Sequence, residues 1–252
     1  DKYDPDAWAS RAIVRLQQGK YAEAESDLNH ATHLNAKNAG NYINRALARF
    51  HQNNLRGAMS DYDLALDIDP NNFIGHYNRG LLRAQVGDDN RAIEDFDFVL
   101  QIEPDNMMAT FNRGLLRAQT GDYRGAIKDY TKVIELAPDF AMAYFNRAVV
   151  RYKQLDYNMS QAASSQDDFS AMSMNLKMGK NPTVVRTPVT SDPASASLKD
   201  NKRAYEHEMI TRDYDMVIKL NPGFVYAYFN RGNLRCAQRD FRAAIQDYSE
   251  AI

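Results

Sequence analysis

Small, bulky and charged residues return along this chain at intervals of 34. Counting Pro70, Pro104 and Pro138 as position 32, with Pro222 in the same place later, gives units 5–38, 39–72, 73–106, 107–140, 141–224 and 225–252. Position 8 is small in every unit: Ala12, Ala46, Gly80, Gly114, Ala148 and Gly232. Position 20 is Ala24, Ala58, Ala92, Ala126 and Ala244, with Ile210 the exception. Position 24 is large: Leu28, Tyr62, Phe96, Tyr130, Tyr214 and Tyr248. A large side chain set against a small one lets two helices approach closely. Self-similarity at such a fixed period is the mark of a stacked repeat, in which each unit packs only on its neighbours.

Each unit reads as two helices. In the fourth, helix A is expected from about Ala109 to Gln119, a turn at Gly121-Asp122, and helix B from about Tyr123 to Leu136. Pro138 then stops the helix. The dipeptide Asn-Arg marks the same point of helix A at Asn44-Arg45, Asn78-Arg79, Asn112-Arg113, Asn146-Arg147 and Asn230-Arg231.

Trp8, Gly80, Gly121, Tyr123, Ala126, Tyr130, Ala65 and Pro138 stand where the tetratricopeptide repeat (TPR) places its aromatic, small and proline residues. The chain therefore resembles that family over about four-fifths of its length. The resemblance implies an all-α, right-handed superhelical solenoid of about six repeats. It also implies a concave groove, lined by positions 2, 5, 6, 9, 12 and 13 of helix A, that holds peptides or partner proteins.

One departure is informative. The family usually has Leu at position 7 and Tyr at position 11, but here both are Arg in every repeat: Arg11, Arg45, Arg79, Arg113, Arg147 and Arg231, then Arg15, Arg49, Arg83, Arg117, Arg151 and Arg235. Position 23 is always Asp: Asp27, Asp61, Asp95, Asp129, Asp213 and Asp247. Residues four apart share a helix face, and a desolvated guanidinium needs a partner. Arg45–Asp61, Arg79–Asp95, Arg113–Asp129 and Arg147–Asp213 are thus expected to tie helix A to helix B. The competing reading is an acidic-ligand site; the in-step recurrence of Asp favours the clamp.

On the face the resemblance assigns to the groove, position 6 is Ser10 and then Asn44, Asn78, Asn112, Asn146 and Asn230. Position 5 is Ala9, Ile43, Tyr77, Phe111, Phe145 and Phe229. An amide offers donor and acceptor together, so it can grip a peptide backbone regardless of side chain. The expected site is this asparagine row, flanked by Tyr77, Phe111, Phe145 and Phe229, which have the alternative of packing on the next repeat. The carboxylate clamp of chaperone-binding members needs Lys at position 2 or 5, and no repeat supplies it.

The fifth repeat spans 84 residues, 50 more than the period. The extra chain is expected at its A–B turn, as residues 158–207. Asp167 to Gly179 could form a short amphipathic helix, Thr183 to Thr187 could be extended, and helix B is expected to start near Leu198. A long insertion is either a tolerated surface excursion or a functional element such as a lid.

Composition narrows the functions. Hydrophobic residues are 44% and the net charge is −2, which argues against broad nucleic-acid or anionic-membrane binding. No apolar run reaches membrane-spanning length. Cys236 is the single cysteine, so the compartment stays open. His30 and His33 share a helix face without a third ligand, HExxH and phosphate-loop motifs are absent, and no catalytic site, metal or cofactor is expected. Starting on Asp1 and stopping within a helical pattern at Ile252, the chain reads as a piece of a longer protein. The expected function is a non-catalytic scaffold for an extended peptide or partner protein. The alternatives are an assembly subunit that uses its ends or the insertion, or the regulatory arm of an enzyme.

Overall fold

The computed structural model describes residues 3–164 and 193–252, with side chains described over 3–158 and 200–252. Among the described residues there are twelve helices and no strand. They form two compact units, Asp1–Gly121 and Asp122–Ile252. The first holds α1 (Pro5–Gln17), α2 (Tyr21–Leu34), α3 (Ala39–His51), α4 (Leu55–Ile68), α5 (Phe73–Gln85), α6 (Asp89–Ile102) and α7 (Met107–Gln119). The second holds α8 (Tyr123–Leu136), α9 (Ala141–Ser164), α10 (Pro193–Leu220), α11 (Val225–Ala237) and α12 (Phe241–Glu250). Within each unit, consecutive helices pack on one another as helix-turn-helix repeats.

Local chemistry sets the helix ends. The side chains of Asn72, Asn106, Asp122 and Asp240 accept a backbone N–H three residues on, from Gly75, Ala109, Gly125 and Ala243. Each satisfies one of the donors left open at a helix start. Helix A ends where position 15 takes a left-handed backbone: φ is +72° at Gly19, +82° at Gly87 and +88° at Gly121, and also +61° at Asn53 and +67° at Arg239. Glycine adopts that conformation without a Cβ penalty.

Position 15 of the fifth repeat is Leu155, and there the helix does not stop. The register places an A–B turn near Tyr157, but α9 continues to Ser164, and α10 begins at Pro193 rather than near Leu198. They run 24 and 28 residues, where α3 and α4 run 13 and 14. The insertion thus begins and ends as helical extensions. The expected amphipathic stretch after Asp167 and the extended Thr183 to Thr187 lie outside the described residues.

The core follows the large-on-small alternation. Ala12, Ala46 and Ala148 are fully buried, as are Ala24, Ala58, Ala92 and Ile210. Tyr62, Phe96, Tyr130 and Tyr214 fill the space between helices and are at most 3% exposed. A Cβ on Gly80 would lie 3.2 Å from Phe96, and one on Gly232 would lie 2.8 Å from the Tyr248 ring. Burial pushes the phenols of Tyr62, Tyr130 and Tyr214 well above their ordinary range, as a low dielectric disfavours the anion.

Candidate functional site

Two faces of helix A divide the chemistry. On the inward face, Arg45 forks onto Asp61 with Nε at 2.9 Å and Nη2 at 2.6 Å, while Arg49 reaches the same carboxylate at 2.8 Å. Arg147 and Arg151 treat Asp213 alike, at 2.6 and 2.8 Å, although 66 residues separate Arg147 from Asp213. Arg11 with Arg15 on Asp27, Arg79 with Arg83 on Asp95, and Arg231 with Arg235 on Asp247 repeat the arrangement. Each of these carboxylates is at most 3% exposed. Asp27 shows the balance of forces: burial pushes its pKa up, yet the hydrogen bonds and charges of Arg11 and Arg15 outweigh this, and the net shift is downward. Arg113 belongs to the first unit and buried Asp129 to the second.

Position 25 supplies contacts that the sequence pattern did not suggest. Arg79 holds Asp63 at 2.9 Å, Arg113 holds Asp97 at 2.6 Å, and Arg231 holds Asp215 at 2.5 Å. Arg45 instead reaches Asn29 and Thr32, and Arg147 reaches Thr131. The position-7 guanidinium therefore ties its own helix pair to the helix B before it. The signal was available: Asp63, Asp97 and Asp215 share one register position, sixteen residues before the next arginine.

Position 4 adds a second lock at the turn. Tyr42 and Tyr144 donate their hydroxyls to the carbonyls of Ala36 and Pro138 at 3.3 and 3.1 Å, and His76 Nε2 stands 3.0 Å from that of Pro70. The guanidinia of Arg45 and Arg147 lie over the rings of Tyr42 and Tyr144 at 5.2 and 5.7 Å. With their hydrogen bonds spent on these partners, the arginines present little free donor capacity to a ligand.

The asparagines point elsewhere. Asn44, Asn78, Asn112, Asn146 and Asn230 are all half-buried. Among the described residues, Asn44, Asn78 and Asn146 make no side-chain hydrogen bond, whereas Asn112 donates to the Tyr77 hydroxyl at 3.2 Å and Asn230 bonds Tyr214. In the first unit, apolar side chains beside this row stay in water: Leu81 and Leu115 at position 9, and Ile74 and Met108 at position 2.

The position-5 aromatics divide. Phe111 is buried and has little surface to offer. Tyr77 packs edge-on against Phe96, and Phe145 against Phe224. Phe229 leans on Tyr248 but is 46% exposed. Burial pushes the Tyr77 phenol up, and the bond from Asn112 partly offsets this. Phe73, Ile74, Tyr77, Asn106 and Met108 line an open pocket of about 280 Å³ in the first unit. Among the described residues no His, Cys, Asp and Glu cluster fits a metal ion, and no helix is long and apolar enough to cross a membrane.

A family profile described as tetratricopeptide repeat matches residues 5–73, and another described as TPR repeat matches residues 114–154. This chain is built of tetratricopeptide repeats. No curated protein sequence matches it. Among solved structures, a MamA protein is 17% identical with a TM-score of 0.63, over 86% of this chain and 91% of that one. YrrB, described as a TPR protein with an unusual peptide-binding site, is 16% identical with a TM-score of 0.63, over 89% and 90%. Pseudomonas aeruginosa pilF is 15% identical with a TM-score of 0.64, over 96% and 88%. At these identities the likeness shows the TPR fold alone.

Proposed function

We propose that this TPR chain is a non-catalytic scaffold that holds an extended segment of a partner protein along the A-helix face. The observation that carries the reading is the division of labour between adjacent residues. Arg45, Arg79, Arg147 and Arg231 of the Asn-Arg pairs are spent on buried carboxylates, while Asn44, Asn78 and Asn146 keep amides without internal partners. Exposed apolar side chains beside the asparagines form the kind of surface that usually meets a partner. Packed helices sit about 8–10 Å apart and an extended chain rises about 3.3 Å per residue, so successive amides would meet about every third residue of a ligand. Such contacts are to backbone, which leaves selectivity to neighbouring pockets. That YrrB is described as having a peptide-binding site agrees with this reading.

The test is affinity capture with the full chain, followed by mapping of the bound region. The scaffold reading expects a linear segment that still binds as an isolated peptide. Binding that survives only with a folded partner surface would overturn it in favour of an assembly subunit.

A further inference from the structure

The pocket of the first unit says what kind of segment fits. Its walls are Phe73, Ile74, Tyr77 and Met108, with Asn106 at the edge. Asn106 is fully occupied by the fold: its Oδ1 caps α7 through Ala109 N at 2.9 Å, and its Nδ2 donates to Glu103 at 2.8 Å. The pocket therefore offers hydrocarbon, one thioether and two aromatic rings, with the Tyr77 hydroxyl, which accepts from Asn112 at 3.2 Å, as its one other polar group. About 280 Å³ suits one large apolar side chain.

The segments that build the pocket carry charge of one sign. The two segments that build the pocket, residues 69–78 and 101–112, contain no Lys or Arg. Asp69 and Glu103 occupy the same register position, three residues before the asparagine that caps each A helix. Each carboxylate accepts from that asparagine: Asp69 from Asn72 at 3.0 Å and Glu103 from Asn106 at 2.8 Å. Neither is ion-paired among the described residues, although Lys37 and Asp69 line a separate polar hollow. A largely apolar pocket whose edge residue Asn106 holds the Glu103 carboxylate is complementary to an apolar side chain next to a cation, and such complementarity sets specificity and association rate more than raw affinity.

Resting on the scaffold reading, we infer that the partner segment inserts one large aliphatic or aromatic side chain between the starts of α5 and α7, with a Lys or Arg beside it facing Glu103. The probe is a displayed library of random twelve-residue segments selected on the full chain. Enriched segments are expected to share a large apolar residue next to Lys or Arg. Ile74→Glu or Met108→Glu, both at exposed positions, should lower their binding more than tenfold. Glu103→Gln keeps an acceptor for Asn106 and should lower binding only about two- to fivefold, as expected for losing one exposed ion pair. Segments that enrich without a basic residue, or that ignore both pocket substitutions, would overturn this inference and leave the scaffold reading standing. A library from which nothing enriches would overturn both.

Discussion

Arg79 reaches Asp63 at 2.9 Å with the same guanidinium that holds Asp95 at 2.8 Å. One side chain thus joins three helices: α5, its partner α6, and α4 before them. The two carboxylates differ in worth. Asp95 is 2% exposed and is shared by Arg79 and Arg83, while Asp63 is 52% exposed and has one partner. Asp95→Ala takes the buried partner from two mostly desolvated guanidinia, leaving Arg79 only Asp63, and is expected to cost about 3–5 kcal/mol. Asp63→Ala is expected to cost under about 1 kcal/mol. Urea denaturation of the two variants checks this; equal losses would mean that the buried clamp is no stronger than a surface pair.

Arg239 tests the turn. It sits at φ +67° where three other repeats have glycine, and its side chain is exposed. A left-handed backbone costs a Cβ-bearing residue about 1–2 kcal/mol, and glycine returns part of that as unfolded-state entropy. Arg239→Gly should stabilise the chain by about 0.5–1 kcal/mol, and Gly87→Ala should destabilise it. A rise in melting temperature for the first and a fall for the second would be seen in thermal denaturation followed by circular dichroism.

His207 gives the fold a pH dependence. It stands on α10 at 6% exposure, in the register position held by Tyr21, Tyr123 and Phe241 in other repeats. Burial pushes its pKa below the ordinary 6.5, and the nearby Arg203 pushes the same way. The unfolded chain therefore takes up a proton near pH 6.5 before the folded chain does. The associated stability is whole above about pH 6.5 and is lost as pH falls towards the folded pKa. The downward-shifted carboxylates of Glu25 and Asp27 act in the same sense only at lower pH. Comparing denaturation midpoints at pH 7 and pH 5.5 should show a smaller drop for His207→Phe than for the unaltered chain; identical drops would remove His207 as the cause.

Much of this was legible in the sequence because a repeat states its rules several times. The pairing of Gly80 with Phe96, or of Ala46 with Tyr62, told which helix faces meet. The arginine pair and the aspartate recurred in step, so their contact could be read without coordinates. Three features escaped for physical reasons. Asp63, Asp97 and Asp215 act across repeat boundaries, and a register read within one repeat does not link them to the next arginine. The length of α9 was hidden because its helix runs through Leu155, at the position where the other repeats take a left-handed turn, and the period carries no sign of this. The pocket beside Tyr77 was hidden because it depends on how two A helices space their ends, which position labels do not carry.

The central claim is that the asparagines serve a ligand while the adjacent arginines serve the fold. Asn44 and Asn78 make no side-chain hydrogen bond among the described residues, so replacing both with Ala should leave stability intact. Each lost hydrogen bond to a ligand backbone is worth about 0.5–1.5 kcal/mol. Calorimetric titration of the captured segment into the Asn44→Ala, Asn78→Ala variant is therefore the most direct measurement. The account predicts unchanged melting with affinity reduced about tenfold or more; unchanged affinity would contradict it.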